Sequence, residues 1–203
     1  MARPEVRLTP TMIAGHFGLA AAVKSYARQA PLWALMLATV WLDVIFVPLF
    51  LMGIETIQQV PGTQGGYGQG IIHADYTHSV IGALALAAIF GAVAAIWWGR
   101  RTGMVLGAVV FSHWVLDLVV HRTDMPILPA NAASLPRLGF GLWRVPVAAM
   151  SVELLLVIVG AWLYWRAARA TVSSVPSRRT RANLAGLLVL VFGVAVLAID
   201  VLS

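Results

Sequence analysis

His113, Asp117 and His121 lie four residues apart in a run from Met104 to His121 that is otherwise almost wholly apolar or small. On a helix, positions i, i+4 and i+8 stack along one face. Two imidazoles flanking a carboxylate are ligands suited to a borderline divalent ion such as zinc. A charged group at bilayer depth costs ~2.5–3.5 kcal/mol, so three ionisable groups on one apolar helix require partners. This face is therefore the expected seat of the chemistry.

Other segments offer such partners. In His73-Ala-Asp-Tyr-Thr-His78-Ser79, two imidazoles five residues apart straddle a loop-to-helix junction and can converge on one ion only if the chain bends there. His16, in a helix of small residues, is either a ligand or a hydrogen-bonding group at a helix interface. Asp43 sits in Thr-Val-Trp-Leu-Asp-Val-Ile-Phe with no Lys or Arg at its depth. Its partner is then a metal ion, the favoured reading, or a proton held by a raised pKa. Asp75 is either a ligand or the N-cap of the helix that follows. Glu55 and Asp124 fall at helix ends, where water is expected to solvate them. Glu153 lies within an apolar run and should face the bundle, as support for a ligand, as an acid or base, or paired with an arginine such as Arg144. A metal-bound His normally gives its other ring nitrogen to an acceptor, a role that suits the surplus acids.

The elements that must position these groups follow from composition. The chain is 60% hydrophobic and only 11% charged, against roughly 25% charged in soluble domains. It has no cysteine, which excludes disulfides, thiolate ligands, iron–sulfur clusters and a Cys nucleophile. The net charge of +6 does not point to nucleic acid, because the arginines gather in short loops between apolar runs and none is interleaved with aromatics. Five long apolar runs span Pro31–Gly53, His78–Trp98, Met104–Val120, Val145–Trp165 and Leu184–Val201, each near the ~20 residues needed to cross a bilayer. A weaker sixth runs from Pro10 to about Tyr26 and is expected to pack inside the bundle. The predicted fold is an all-α integral membrane protein, a bundle of about six transmembrane helices. It forms one domain over residues 1–203: a metal-site bundle over 1–165, a basic cytoplasmic linker over 166–183 and a final helix over 184–203. With the N-terminus outside, nine basic residues fall on the inner side and five on the outer, as the positive-inside rule prefers. All five histidines and six of the eight acids then lie toward the outer side.

Four pieces in order resemble the LexA-regulated, membrane-bound metal-dependent hydrolase family, which is distantly similar to zinc-dependent phospholipase C. They are Gly15-His16-Phe17-Gly18, Leu42-Asp43-Val44, His73-Ala-Asp-Tyr-Thr-His78-Ser79 and Ser112-His113-Trp-Val-Leu-Asp117, and they cover roughly the first two-thirds of the chain. The resemblance implies that His16, Asp43, His73, His78, His113 and Asp117 are the metal ligands. Ala74 stands where the family carries an arginine, and a single aspartate stands where it carries two. Both departures favour one tightly held ion over a multinuclear centre.

The expected function is that of an integral-membrane hydrolase in the bacterial inner membrane, holding a divalent ion, expected to be zinc, near the extracytoplasmic face. Asp43, His121 and Glu153 are the candidates for proton transfer, since a base must lie within hydrogen-bond reach of the attacking water. The substrate is expected to be a lipid or another amphiphilic ester or phosphoester, with Arg122 or Arg144 as the phosphate-binding group. The alternatives are a metal-binding permease or ion-handling protein, and a haem or redox-complex subunit with His axial ligands. Five histidines are too few for a di-iron site built on histidine boxes.

Overall fold

The computed structural model describes residues 13–63, 66–172 and 176–202. The helix start expected near Pro10 lies outside them. Helix α1 (Ile13–Tyr26) is followed by α2 (Leu32–Thr39) and α3 (Trp41–Leu51). A short antiparallel hairpin of β1 (Thr56–Gln59) and β2 (Gly70–His73) comes next. Helices α4 (Val80–Val120), α5 (Pro146–Ala170) and α6 (Pro176–Leu202) complete the chain. Three of these helices, α4, α5 and α6, are long and apolar enough to cross a membrane. Their outward faces are apolar and exposed, with Ile89, Ile96, Leu155, Ile158, Leu187 and Leu188 among the residues displayed. The all-α reading holds, with one small hairpin added to it.

Helix α4 is not one rod. At Gly99 the backbone takes φ 80° and ψ 159°, a conformation that glycine reaches at little steric cost. The arms 80–98 and 100–120 then run back against each other. A Cβ on Gly91 would fall 2.9 Å from the Gly103 carbonyl oxygen, and one on Gly107 would fall 2.9 Å from that of Ala87. Small residues thus let the two backbones touch, the usual packing device of helices in lipid. The reversal returns the end of the second arm, with His113 and Asp117, to the level of His78 at the start of the first.

The run Pro31–Gly53, which reads as one span in sequence, is instead the pair α2 and α3, bent by 48°. The break is at Val40, whose φ of −115° and ψ of 14° are not helical. Irregular backbone at membrane depth persists where it lines a protein site, and the Thr39 carbonyl exposed at this break has such a role. The segment 166–183, read as a linker, is mostly helical: α5 continues to Ala170 and α6 starts at Pro176, so Arg166, Arg169, Arg178, Arg179 and Arg181 lie on helix ends.

Helix α1 packs against α2, α4, α5 and α6, inside the bundle as its sequence suggested. Its crossing with α5 is backbone on backbone: a Cβ at Gly18 would fall 2.7 Å from the Val157 nitrogen, and one at Gly160 would overlap the Gly18 carbonyl. Gly160→Ala should therefore destabilise the protein by about 1–3 kcal/mol, the usual range for overpacking, read as a lowered midpoint of thermal unfolding in detergent. An unchanged midpoint would mean that the crossing tolerates a methyl group.

One end of the bundle is capped. Met125 and Leu138 exchange backbone hydrogen bonds of 3.0 and 2.7 Å, the Val80 amide donates to the Pro126 carbonyl at 3.1 Å, and the Gly141 amide donates to that of His121 at 2.7 Å. Phe46, Tyr67, Ile72, Val120, Trp143 and Ala149 form an apolar cluster that joins this segment to the hairpin and to α5. Beneath it lies the polar centre of the molecule.

Candidate metal centre

Six of the residues named in the sequence line one small space: His16, Asp43, His78, His113, Asp117 and His121, with Phe46 and Ile72 closing it. They come from α1, α3, the residue pair before α4, and the second arm of α4. The four histidines and Asp117 are at most 4% exposed, too little for water to solvate a charge there. Asp43 is the most accessible of the set, its side chain 23% exposed.

The separations resemble the edges of a coordination polyhedron. Zinc–ligand bonds of ~2.0–2.1 Å place tetrahedral donors roughly 3.3 Å apart. His78 Nε2 and His113 Nε2 are 3.2 Å apart. Asp117 Oδ2 is 3.3 Å from the first and 3.1 Å from the second. Asp43 Oδ1 is 3.5 Å from His78 Nε2 and 3.6 Å from His113 Nε2. His16 Nε2 approaches the other carboxylate oxygen of Asp117 at 3.4 Å. Among the described residues, two groups meet the distance requirement for holding an ion, His16 with His113 and Asp117, and Asp43 with His78 and His113. They share His113. The enclosed space, about 10 Å³, suits a single ion or water, since one water needs roughly 10–15 Å³.

Proton positions sharpen this. His113 Nδ1 is 2.8 Å from the Thr39 carbonyl; a carbonyl only accepts, so Nδ1 carries the hydrogen. Thr77 Oγ1 donates to the Glu55 carboxylate at 2.9 Å and so accepts from His78 Nδ1 at 2.8 Å. When neutral, both rings therefore turn bare Nε2 lone pairs toward each other and toward two carboxylates. Only a cation between them, a metal ion or added protons, makes that arrangement favourable.

The sequence-expected residues divide cleanly. His16, Asp43, His78, His113 and Asp117 are brought together. His73 is not among the residues lining the space; it ends β2, and its strand neighbour Ile72 points inward instead. His121 does line it, with Nε2 3.7 Å from Asp117 Oδ2. Its Nδ1 lies 3.0 Å from Asp124 Oδ1, and Asp124 in turn accepts the Ile72 amide at 3.1 Å. Glu153 is absent from the lining. It is fully buried, accepting the Gly15 amide at 3.1 Å and a hydrogen bond from the Tyr67 hydroxyl, and Arg144 is not its partner. Burial, with the Glu153 contact, pushes the Tyr67 hydroxyl above its ordinary range, so it stays a donor at neutral pH. Asp75 is neither ligand nor cap: it pairs with Arg137 at 2.7 Å, which raises the Arg137 guanidinium above its usual value, while Ser79 caps α4 by accepting from the Gly82 amide at 3.0 Å.

Comparison with protein-family models, curated proteins and solved structures finds no match. The site is therefore read from its own geometry.

Sequence reasoning missed the supporting groups. Glu55, expected in water, is fully buried and accepts the Tyr76 and Thr77 amides at 2.8 Å each besides the Thr77 hydroxyl. Thr39 was equally unexpected, and Asp124, expected in water, is buried against His121. The available signals were adjacency alone, Thr77 beside His78 and Asp124 three residues after His121. Glu55→Gln and Thr77→Val should each weaken metal binding by roughly 10–100-fold, the usual cost of removing the partner of a ligating His. Competition against a chelator of known affinity measures this, and an unchanged affinity would show that the Glu55–Thr77–His78 chain only packs.

Proposed function

We propose that this protein is an integral-membrane, metal-dependent hydrolase acting on a lipid or other amphiphilic ester or phosphoester. The observation that carries the reading is the pair of Nε2 atoms on His78 and His113, 3.2 Å apart, facing Asp43 and Asp117 in a small buried space. His16, Asp43, His78, His113 and Asp117 would hold the ion, and the mixture of imidazole and carboxylate suits zinc. When bound, a divalent ion supplies Lewis acidity, polarising a scissile group and lowering the pKa of water toward ~7.

His121 is the proton-transfer group best supported by its surroundings. With Nδ1–H donated to Asp124, its Nε2 is a free acceptor on the wall of the space. Asp124, itself held by the Ile72 amide, fixes the ring and stabilises the imidazolium once the proton has moved. Asp43, the more accessible carboxylate, is placed to orient an incoming group. A porphyrin does not suit this site, since the His16 and His113 ring centroids are only 4.1 Å apart.

We read the membrane arrangement as six passes: α1, the bent α2–α3 pair, the two arms of α4, α5 and α6. The bias of nine basic residues to five then sets the capped end and its metal site on the extracytoplasmic side of the inner membrane. Reconstituted, metal-loaded protein should turn over at least one member of a panel of amphiphilic esters and phosphoesters, and chelator-stripped protein none. Metal uptake into the vesicles, blocked by Asp43→Asn and unaccompanied by turnover, would replace the hydrolase by a permease.

A further inference from the structure

Resting on the hydrolase reading, we infer that the substrate enters the metal centre sideways from the bilayer, past Asp43 on α3, and that Phe46 decides what can enter. The space among the ligands measures about 10 Å³, room for one ion or water and too little for an ester group. A wall must therefore move before a substrate reaches the ion. Six of the residues lining the space carry its imidazole and carboxylate groups, and the other two are Phe46 and Ile72. Displacing any of the six would undo the centre or its base, so the wall that moves is one of the two apolar side chains.

Ile72 belongs to the closed side. Its amide donates to Asp124 at 3.1 Å, and it pairs with Ile57 across the hairpin. It shares an apolar cluster with Tyr67, Val120 and Trp143, and none of the four is more than 6% exposed. Phe46 belongs to the open side. Helix geometry sets Asp43, Phe46 and Phe50 along one line of α3, and Val44, Val47 and Leu51 along the next. The first line borders the centre: Phe46 meets the His78 ring edge-on with centroids 6.0 Å apart and stacks on Phe50 at 5.7 Å. The second line is displayed on the outside, with Val44, Val47 and Leu51 exposed by 40%, 48% and 78%. Asp43 stands at the boundary. Its side chain is 23% exposed, against at most 6% for the other ionisable side chains of the site.

Ionisable groups inside membrane-spanning helices mark substrate and ion pathways, and this one opens beside an apolar stripe of the kind that lipid covers. Helix α3 also has a weak point there. It contains Pro48, which offers no amide to the Val44 carbonyl one turn back. The turn that carries Phe46 therefore lacks a helical hydrogen bond, and it is where the ring turns aside. A substrate entering here brings its polar group to Asp43 first and leaves its chains along Val44, Val47 and Leu51 in the bilayer. The class that fits is a chain-bearing ester, slender next to the bond that is cut. A chainless, water-soluble ester has no such route.

The test uses full-length, metal-loaded protein in maltoside micelles, which contain no ester. Two quantities are followed: the rate at which the metal passes to a lipophilic chelator, and the ratio of kcat/KM for an ester branched beside the scissile bond to that for its straight-chain counterpart. Phe46→Ala should raise both at least about tenfold, the scale on which a single apolar group sets specificity, with the metal content before chelation unchanged. Phe46→Leu, the gentler change, should raise both in part. Val47→Trp, which adds bulk outside the centre, should slow metal loss severalfold, an effect that a merely structural role would not produce. Leu188→Trp adds the same bulk on the exposed face of α6 and should change nothing. Phe46→Leu and Val47→Trp decide the matter if Phe46→Ala does not fold. Equal rates and ratios in the wild type and in the Phe46 and Val47 variants would overturn the inference. So would equal turnover of a chainless ester, or faster metal loss in Ile72→Ala but not in Phe46→Ala, which would put the entry in the cap. If metal loss responds as described and no ester is turned over, the entry stands and the hydrolase reading alone is lost. If turnover persists and neither Phe46 nor Val47 affects it, the hydrolase stands and the entry is lost.

Discussion

Asp117→Asn should strip the protein of its metal. Wild-type protein is expected to carry about one divalent ion per chain by elemental analysis, and the variant essentially none at the same free-metal concentration. Asp117 lies at the crossing of every imidazole in the centre: 3.4 Å from His16, 3.3 Å from His78, 3.1 Å from His113 and 3.7 Å from His121. Removing the partner of a ligand costs roughly 10–100-fold in affinity, so neutralising a ligand that itself spans the site should cost more. The amide keeps size and shape, which separates lost charge from lost packing. His113→Ala should do the same, because both groups of candidate ligands share His113. A metal-free wild-type protein that stays folded and active would mean that protons fill the site and that the hydrolase reading is wrong.

The second large effect is expected at His121, and it should be of the opposite kind. His121→Ala should retain the ion while lowering turnover of any substrate found by roughly 10²–10⁴-fold, the range general acid–base groups supply. Its Nε2 is farther from Asp117 than those of His78 and His113, and its Nδ1 is committed to Asp124, the arrangement of a positioned base. Asp124→Asn should lower turnover less and change its pH profile, since the amide no longer stabilises an imidazolium. Loss of metal in His121→Ala, with turnover falling in proportion, would make His121 a ligand instead.

Much of this centre can be read from residue order alone. His113 and Asp117 stack because a helix repeats every 3.6 residues, and that spacing is visible without coordinates. His16 and Asp43 were legible by a different logic: an ionisable group in an apolar run requires company. The break at Val40 was not legible, because the run Pro31–Gly53 carries no glycine or proline at that point. Tertiary contact explains it, since the Thr39 hydroxyl donates to the His16 carbonyl at 3.0 Å while its own carbonyl takes the His113 N–H. The fate of Glu55 was hidden for a related reason. A carboxylate at a helix end is ordinarily solvated, and only the return of Tyr76 and Thr77 over it creates the amide nest it occupies. His73 was misplaced by a strand: alternation along β2 turns Ile72 inward.

The contact between Gly18 and Gly160 has a consequence for biosynthesis. A chain leaves the ribosome from its N-terminus, so α1 is made first and α5 nearly last. Yet α1 is fixed chiefly by α5, through a crossing so close that neither helix accepts a side chain there. His16 therefore waits, through the synthesis of more than a hundred intervening residues, for the helix that fixes its own. The His16 side chain, translated early, is thus held in place by a helix translated late, and the polar centre is complete only once α5 has joined α1.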